Sequence, residues 1–141
     1  MYLCRRFEEW ETGDELKPVI KKMTQEKINK YVSTAEDYNP IHVDIEYAKK
    51  TPFKSTIAPG YQCMAYFSEM MSRDFGEGWY IGGTMELRLV KPVKPGDLLN
   101  TVGRVVEKKE EAQGNRVICE IRMTNQNGED VMTGTASALC K

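Results

Sequence analysis

The chain has a single histidine, four cysteines with no Cys-x-x-Cys pair, and no long apolar run. Each shortage excludes a class of function. A structural zinc site needs four clustered Cys or His ligands, and Cys4, Cys63, Cys119 and Cys140 are scattered along the chain, so no metal site is expected. The cysteines read instead as reduced thiols, with Cys63 and Cys119 in the core. The longest apolar stretch, Cys63 to Phe67, falls far short of the roughly 20 residues that a membrane-spanning helix requires. The opening residues MYLCRRFEEWETGDE contain no apolar segment of the signal-peptide kind. A cytoplasmic protein without a membrane partner is the expectation. Neither sign of charge is in excess: 20 Lys+Arg stand against 21 Asp+Glu. A nucleic-acid-binding face is therefore not expected, although the balance allows a local basic pocket for one phosphorylated ligand.

What is present describes an ordinary globular chain. With 141 residues, 40% of them hydrophobic and 29% charged, residues 1–141 are expected to form one domain with a real core. Residues 16–24 read as a short strand. Thr24 then suits the N-cap of a helix over 25–37, with Glu26 in its first turn and Ile28, Tyr31 and Val32 at helical spacing. Asn39-Pro40 is a turn signal, and Asp44 suits the N-cap of a short helix over 44–51. Residues 61–76, YQCMAYFSEMMSRDFG, are apolar on more than one face at the start, as in a buried helix. After Gly82 the period changes to alternation in four segments, with turn signals at 94–96, 114–115 and 127–128. These read as long antiparallel strands joined by hairpins. Leu87, Leu89, Val102, Val105, Ile118, Ile121 and Met123 are candidates for helix-facing or subunit-facing layers. The class is α+β, a curved antiparallel sheet around a central apolar helix. Such a sheet leaves edges, and pairing with a second copy is a natural cover for one.

The histidine lies in DYNPIHVD, residues 37–44. One reading is structural: Asp37 and Asn39 form a turn, Pro40 stiffens it, His42 packs, and Asp44 caps a helix. The other is chemical. Asp37 and His42 flank a rigid turn, so an acceptor and a titratable donor can converge, the minimum set for moving a proton to or from water. Downstream, Pro59 and Gly60 open the buried helix, where backbone N–H groups have no intrahelical partner and the helix dipole adds positive potential. Glycine there admits a substrate close to the backbone.

Asp37-x-Asn39-Pro40-x-His42-x-Asp44, followed by Ala48, Phe53, Ile57-Ala58 and Gly60, resembles the hydratase signature of MaoC-like proteins, the R-specific enoyl-CoA hydratases of hotdog fold. The resemblance runs from about Ile20 to the C-terminus. It includes GGTMELRLVKPVKPGDLL, similar to the family's strand and Gly-Asp turn, and NQNGEDVMTGTASA, similar to its last hairpin. Two positions depart from the pattern. Ala35-Glu36 stands where the family often has Ser-Gly, and Pro59 stands where it often has histidine.

The resemblance implies that Asp37 and His42 activate a water and that the Gly60 N–H holds a thioester oxygen, with Asn39 holding the turn or touching the water site. It also implies reversible syn addition of water to a trans-2-enoyl thioester. No metal or redox cofactor is then needed, and the CoA or carrier-protein pantetheine arrives as part of the substrate. Phe53, Ile57, Tyr61 and Met64 are the candidate acyl-binding residues, and bulky Tyr61 with deformable Met64 suggests short acyl chains. A homodimer or higher homo-oligomer is expected. The rival readings are a hotdog acyl-CoA thioesterase and a non-catalytic hotdog subunit that supports a hydratase partner. A DNA-binding acyl sensor would need a helix-turn-helix and a basic face, and the first 35 residues offer neither.

Overall fold

The computed structural model describes residues 3–141. Strand β1 (Val19–Lys22) leads into helix α1 (Gln25–Ala35), and the Thr24 side chain accepts from the Lys27 N–H as its N-cap. Three further helices follow: α2 (Pro40–Val43), α3 (Ile45–Lys49) and the 16-residue α4 (Gly60–Phe75). Helix α5 (Glu77–Gly82) precedes strands β2 (Thr84–Leu89), β3 (Leu98–Glu111), β4 (Gly114–Thr124) and β5 (Asp130–Leu139). The strands form one antiparallel sheet in the order β1-β3-β4-β5-β2.

Helix α4 packs against β1, β3 and β5. Its residues Cys63, Phe67, Met70 and Met71, at helical spacing, are buried. They share the core with Val105, Val117, Cys119, Ile121, Met123 and Ala136 from the facing sheet. This is the helix-in-sheet arrangement expected. The 14-residue β3 can follow a curved path because its pairing with β4 skips a residue between Val105 and Glu107, a bulge that sharpens twist.

Three expectations need correction. Only β3-β4 and β4-β5 are hairpins; β2 pairs with β5 and β1 with β3, because the segment from Val90 to Asp97 carries the chain from one edge of the sheet to the other. The Asn-Pro turn is the start of a helix: the Asn39 side chain caps it by accepting from the Ile41 N–H at 3.1 Å, and Pro40 takes the first turn, where its missing N–H costs nothing. Helix α5 is absent from the pattern reading, since Trp79, Tyr80 and Ile81 are consecutive and glycines bound the segment. Among the described residues, no helix is long and apolar enough to cross a membrane.

Candidate active site

Helix α1 delivers Asp37. The helix ends at Ala35, two residues earlier than its sequence period suggests, because Glu36 turns into the left-handed region at φ 56°. The Asp37 N–H then reaches back to the Val32 carbonyl at 3.1 Å, closing the helix with a six-to-one bond. The aspartate is thereby fixed to the end of α1 with its side chain 46% exposed. Helix α2 delivers His42, which is buried. The two side chains meet, with Nε2 of His42 3.6 Å from Oδ2 of Asp37.

The other ring nitrogen decides what that meeting means. Nδ1 of His42 lies 2.7 Å from the Ile57 carbonyl oxygen. A carbonyl only accepts, so Nδ1 carries the proton and donates. The carbonyl is itself held firmly. The next N–H along, that of Ala58, donates to the Val93 carbonyl at 2.7 Å, and the Ile57 N–H donates to the Ile41 carbonyl at 3.2 Å. In the neutral ring Nε2 is therefore a bare acceptor. Facing it is a carboxylate, also an acceptor, at a separation too long for a direct hydrogen bond. Two acceptors side by side suit a molecule with two O–H donors. Water is one such molecule.

His42 also lines a cleft of about 360 Å³ with Phe53, Ile57, Gly60, Leu89 and Met132 among its walls. Gly60 is the first residue of α4. The Pro59 carbonyl takes the N–H groups of Gln62 and Cys63, so the Gly60 N–H lies ahead of the helix's own bonds. Cys63 lines the cleft too, and burial pushes its thiol up to about 12. It is a neutral wall, not a nucleophile. Lys91 stands in the cleft wall and is paired with Glu129.

The structure brings Asp37, His42 and Gly60 to one region, with Phe53 and Ile57 as apolar walls. Asn39 serves as the α2 cap. Tyr61 is 76% exposed and outside the cleft, and Met64 packs on the core. Leu89, Val90, Pro92, Val93 and Met132 also line the cleft; nothing in their local pattern points to a site, because they arrive from β2, its following loop and β5. A larger cleft of about 560 Å³ where the chain ends meet, lined by Cys4, Phe75, Ile81, Leu139 and Cys140, contains none of these groups.

Residues 8–127 match the family model described as MaoC like domain. The chain belongs to the MaoC-like family. It is 31% identical to 3-hydroxybutyryl-CoA dehydratase of Methylorubrum extorquens over 116 residues, covering 80% of this chain and 71% of that one. It is 28% identical to the uncharacterized protein YdeM of Bacillus subtilis over 142 residues, covering 96% and 99%. Among solved structures, the unliganded R-hydratase PhaJ1 of Pseudomonas aeruginosa superposes with a TM-score of 0.81 at 28% identity, covering 96% of this chain and 84% of that one. The curved five-stranded sheet around α4 is the hotdog fold of this MaoC-like protein.

Proposed function

We propose that this MaoC-like protein is an R-specific enoyl thioester hydratase, working reversibly as a 3-hydroxyacyl thioester dehydratase. The observation that carries the reading is the imidazole held by Ile57, with its bare nitrogen 3.6 Å from the Asp37 carboxylate. The names of the Methylorubrum dehydratase and the Pseudomonas hydratase support the same chemistry. A substrate water donates one O–H to Nε2 of His42 and the other to Asp37. As its oxygen attacks C3 of a trans-2-enoyl thioester, one water proton passes to this pair, the other stays on the oxygen, and the pair delivers one proton to C2. The hydroxyl ends on C3 and the proton on C2, both on one face, so the balance is that of one added water. Negative charge gathers on the thioester oxygen, where the Gly60 N–H at the start of α4 meets it. A preorganised donor aimed at developing charge contributes roughly 3–4 kcal/mol. The residues do the proton transfer without a metal or redox cofactor, and the CoA or carrier-protein arm comes with the substrate.

The working unit is a homodimer, in which pairing covers a sheet edge that β1 or β2 leaves open. The deciding experiment incubates the purified protein with a panel of trans-2-enoyl and R-3-hydroxyacyl thioesters and follows enoyl absorbance alongside free thiol. Hydration removes enoyl absorbance with the thioester intact. Release of thiol without hydration would instead establish a thioesterase, and no change with any member would leave the supporting-subunit reading standing.

A further inference from the structure

Around His42 the hydrogen bonds close into a ring that reaches well beyond the Asp37 pair. Gln25, the first residue of α1, is half-buried, and its side-chain amide donates to the His42 carbonyl at 2.9 Å and to Oδ1 of Asn29 at 2.9 Å. The His42 carbonyl can only accept, which orients the amide: NH₂ toward α2, oxygen away. That oxygen accepts from the Thr56 hydroxyl at 2.6 Å, and Thr56 is buried. Thr56 is bonded directly to Ile57, whose carbonyl takes the His42 Nδ1–H. The circuit therefore runs from the His42 ring through Ile57, Thr56 and Gln25 back to the His42 main chain. The three segments it joins are far apart in sequence. The same helix α1 that starts with Gln25 ends by presenting Asp37.

We propose that Gln25 and Thr56 are positioning residues that hold His42 in the tautomer with its proton on Nδ1, a role that rests on the hydratase reading above. The physical need is specific. A ring free to rotate or to move its proton to Nε2 would present a donor to Asp37 and bond it directly. The nitrogen that must accept a proton from water would then already carry one. The Ile57 carbonyl prevents this only while it stays at its short distance from Nδ1. The main-chain bonds of Ile57 and Ala58 hold the carbonyl from one side, and the Gln25 amide adds the link across the histidine, gripping its backbone on one side and the residue preceding Ile57 on the other.

His42 is the sole histidine, so ring ¹⁵N chemical shifts of uniformly labelled protein report its tautomer without any mutation and without any substrate. In alkaline buffer the wild type should show two well-separated nitrogens, Nδ1 protonated and Nε2 bare. Thr56→Val and Gln25→Leu should bring the two shifts toward each other and lower kcat roughly 10-fold or more, the scale of misorienting a reacting group, with KM changed far less. Thr56→Ser keeps the hydroxyl and should restore both the separation of shifts and kcat. If Gln25→Leu does not fold, Thr56→Val breaks the same circuit from the other side. Wild-type shifts in Thr56→Val would overturn the assignment, because the hydroxyl would then be dispensable; equal damage in Thr56→Val and Thr56→Ser would overturn it too, because keeping the hydroxyl would then not keep the clamp. Absence of hydratase activity in the wild type would sink the hydratase reading while the shifts still measured the clamp.

Discussion

A neutral imidazole beside a carboxylate can be either a bonded pair or, as proposed, a site that shares a water, and the Ile57 carbonyl favours the second by accepting a hydrogen bond from Nδ1–H. From this follows the first prediction. Asp37→Asn should lower the hydration rate roughly 10²-fold or more, because an amide cannot carry the transferred proton. Its half-exposed side chain makes little difference to stability, so the melting transition should stay in place. His42→Ala should lose at least as much activity, measured as kcat on a short enoyl thioester. It should also cost about 1–3 kcal/mol in urea unfolding, since it strands the Ile57 carbonyl in a buried setting. Glu36 supplies a second prediction. Its φ of 56° is one that glycine adopts freely and that costs an L side chain. Glu36→Gly should raise stability by about 0.5–1 kcal/mol in the same unfolding assay, with kcat unchanged. A loss of stability would show that the glutamate contributes more than its backbone strain removes.

Among the elements, α4 fills the sheet with its apolar faces, and in the proposed mechanism its first residue, Gly60 in the cleft wall, also donates its N–H. The two can be separated at Gly60. Proline is well tolerated at the first helical position, and Pro59 already has the extended backbone that a following proline demands, with ψ 138°. Gly60→Pro removes the N–H and should reduce kcat by roughly 10²–10³-fold, the usual effect of losing one oxyanion donor. Gly60→Ala keeps the N–H, and its new Cβ would meet only the end of the Leu89 side chain, at 3.0 Å. It should retain most of the activity. Equal losses in both variants would mean that bulk in the cleft, and not the donor, is what matters.

For the molecule as a whole, the sheet order puts β1 and β2 at the edges. The proposed dimer should sediment as two copies at micromolar concentration. A fully active monomer would contradict it. Burial also sorts the four thiols. It pushes Cys63 and Cys119 up to about 12, while Cys4 is exposed and Cys140 partly so. At pH ~8 a thiol with a pKa near 12 is about 10⁻⁴ thiolate, so a chromogenic disulfide reagent should modify Cys4 first and Cys140 slowly. Cys63 and Cys119 should react only after denaturant is added. Rapid modification of Cys63 with loss of activity would put a reactive thiol in the cleft and reopen the question of its chemistry.

Local chemistry was readable from residue order alone. Thr24 and Asp44 are caps because a short polar side chain before an apolar period satisfies free N–H groups, and both cap as expected. Alternation after Gly82 announced strands, and the dense apolar stretch announced the buried helix, since periods of 2 and 3.6 are properties of the backbone. The Asp37–His42 approach was also legible, because both residues sit within one short, stiff stretch of chain. Pairing was not. That β2 lies beside β5 and not β3 depends on where a connection carries the chain, and residue spacing does not record that. Nor could the sequence disclose that the Ile57 carbonyl meets the histidine's Nδ1, that Gln25 and Thr56 bond around it, or that Leu89 and Met132 line the cleft. Those contacts join segments 15 residues or more apart, several of them through main-chain carbonyls, which every residue possesses, and only the folded packing selects which groups meet.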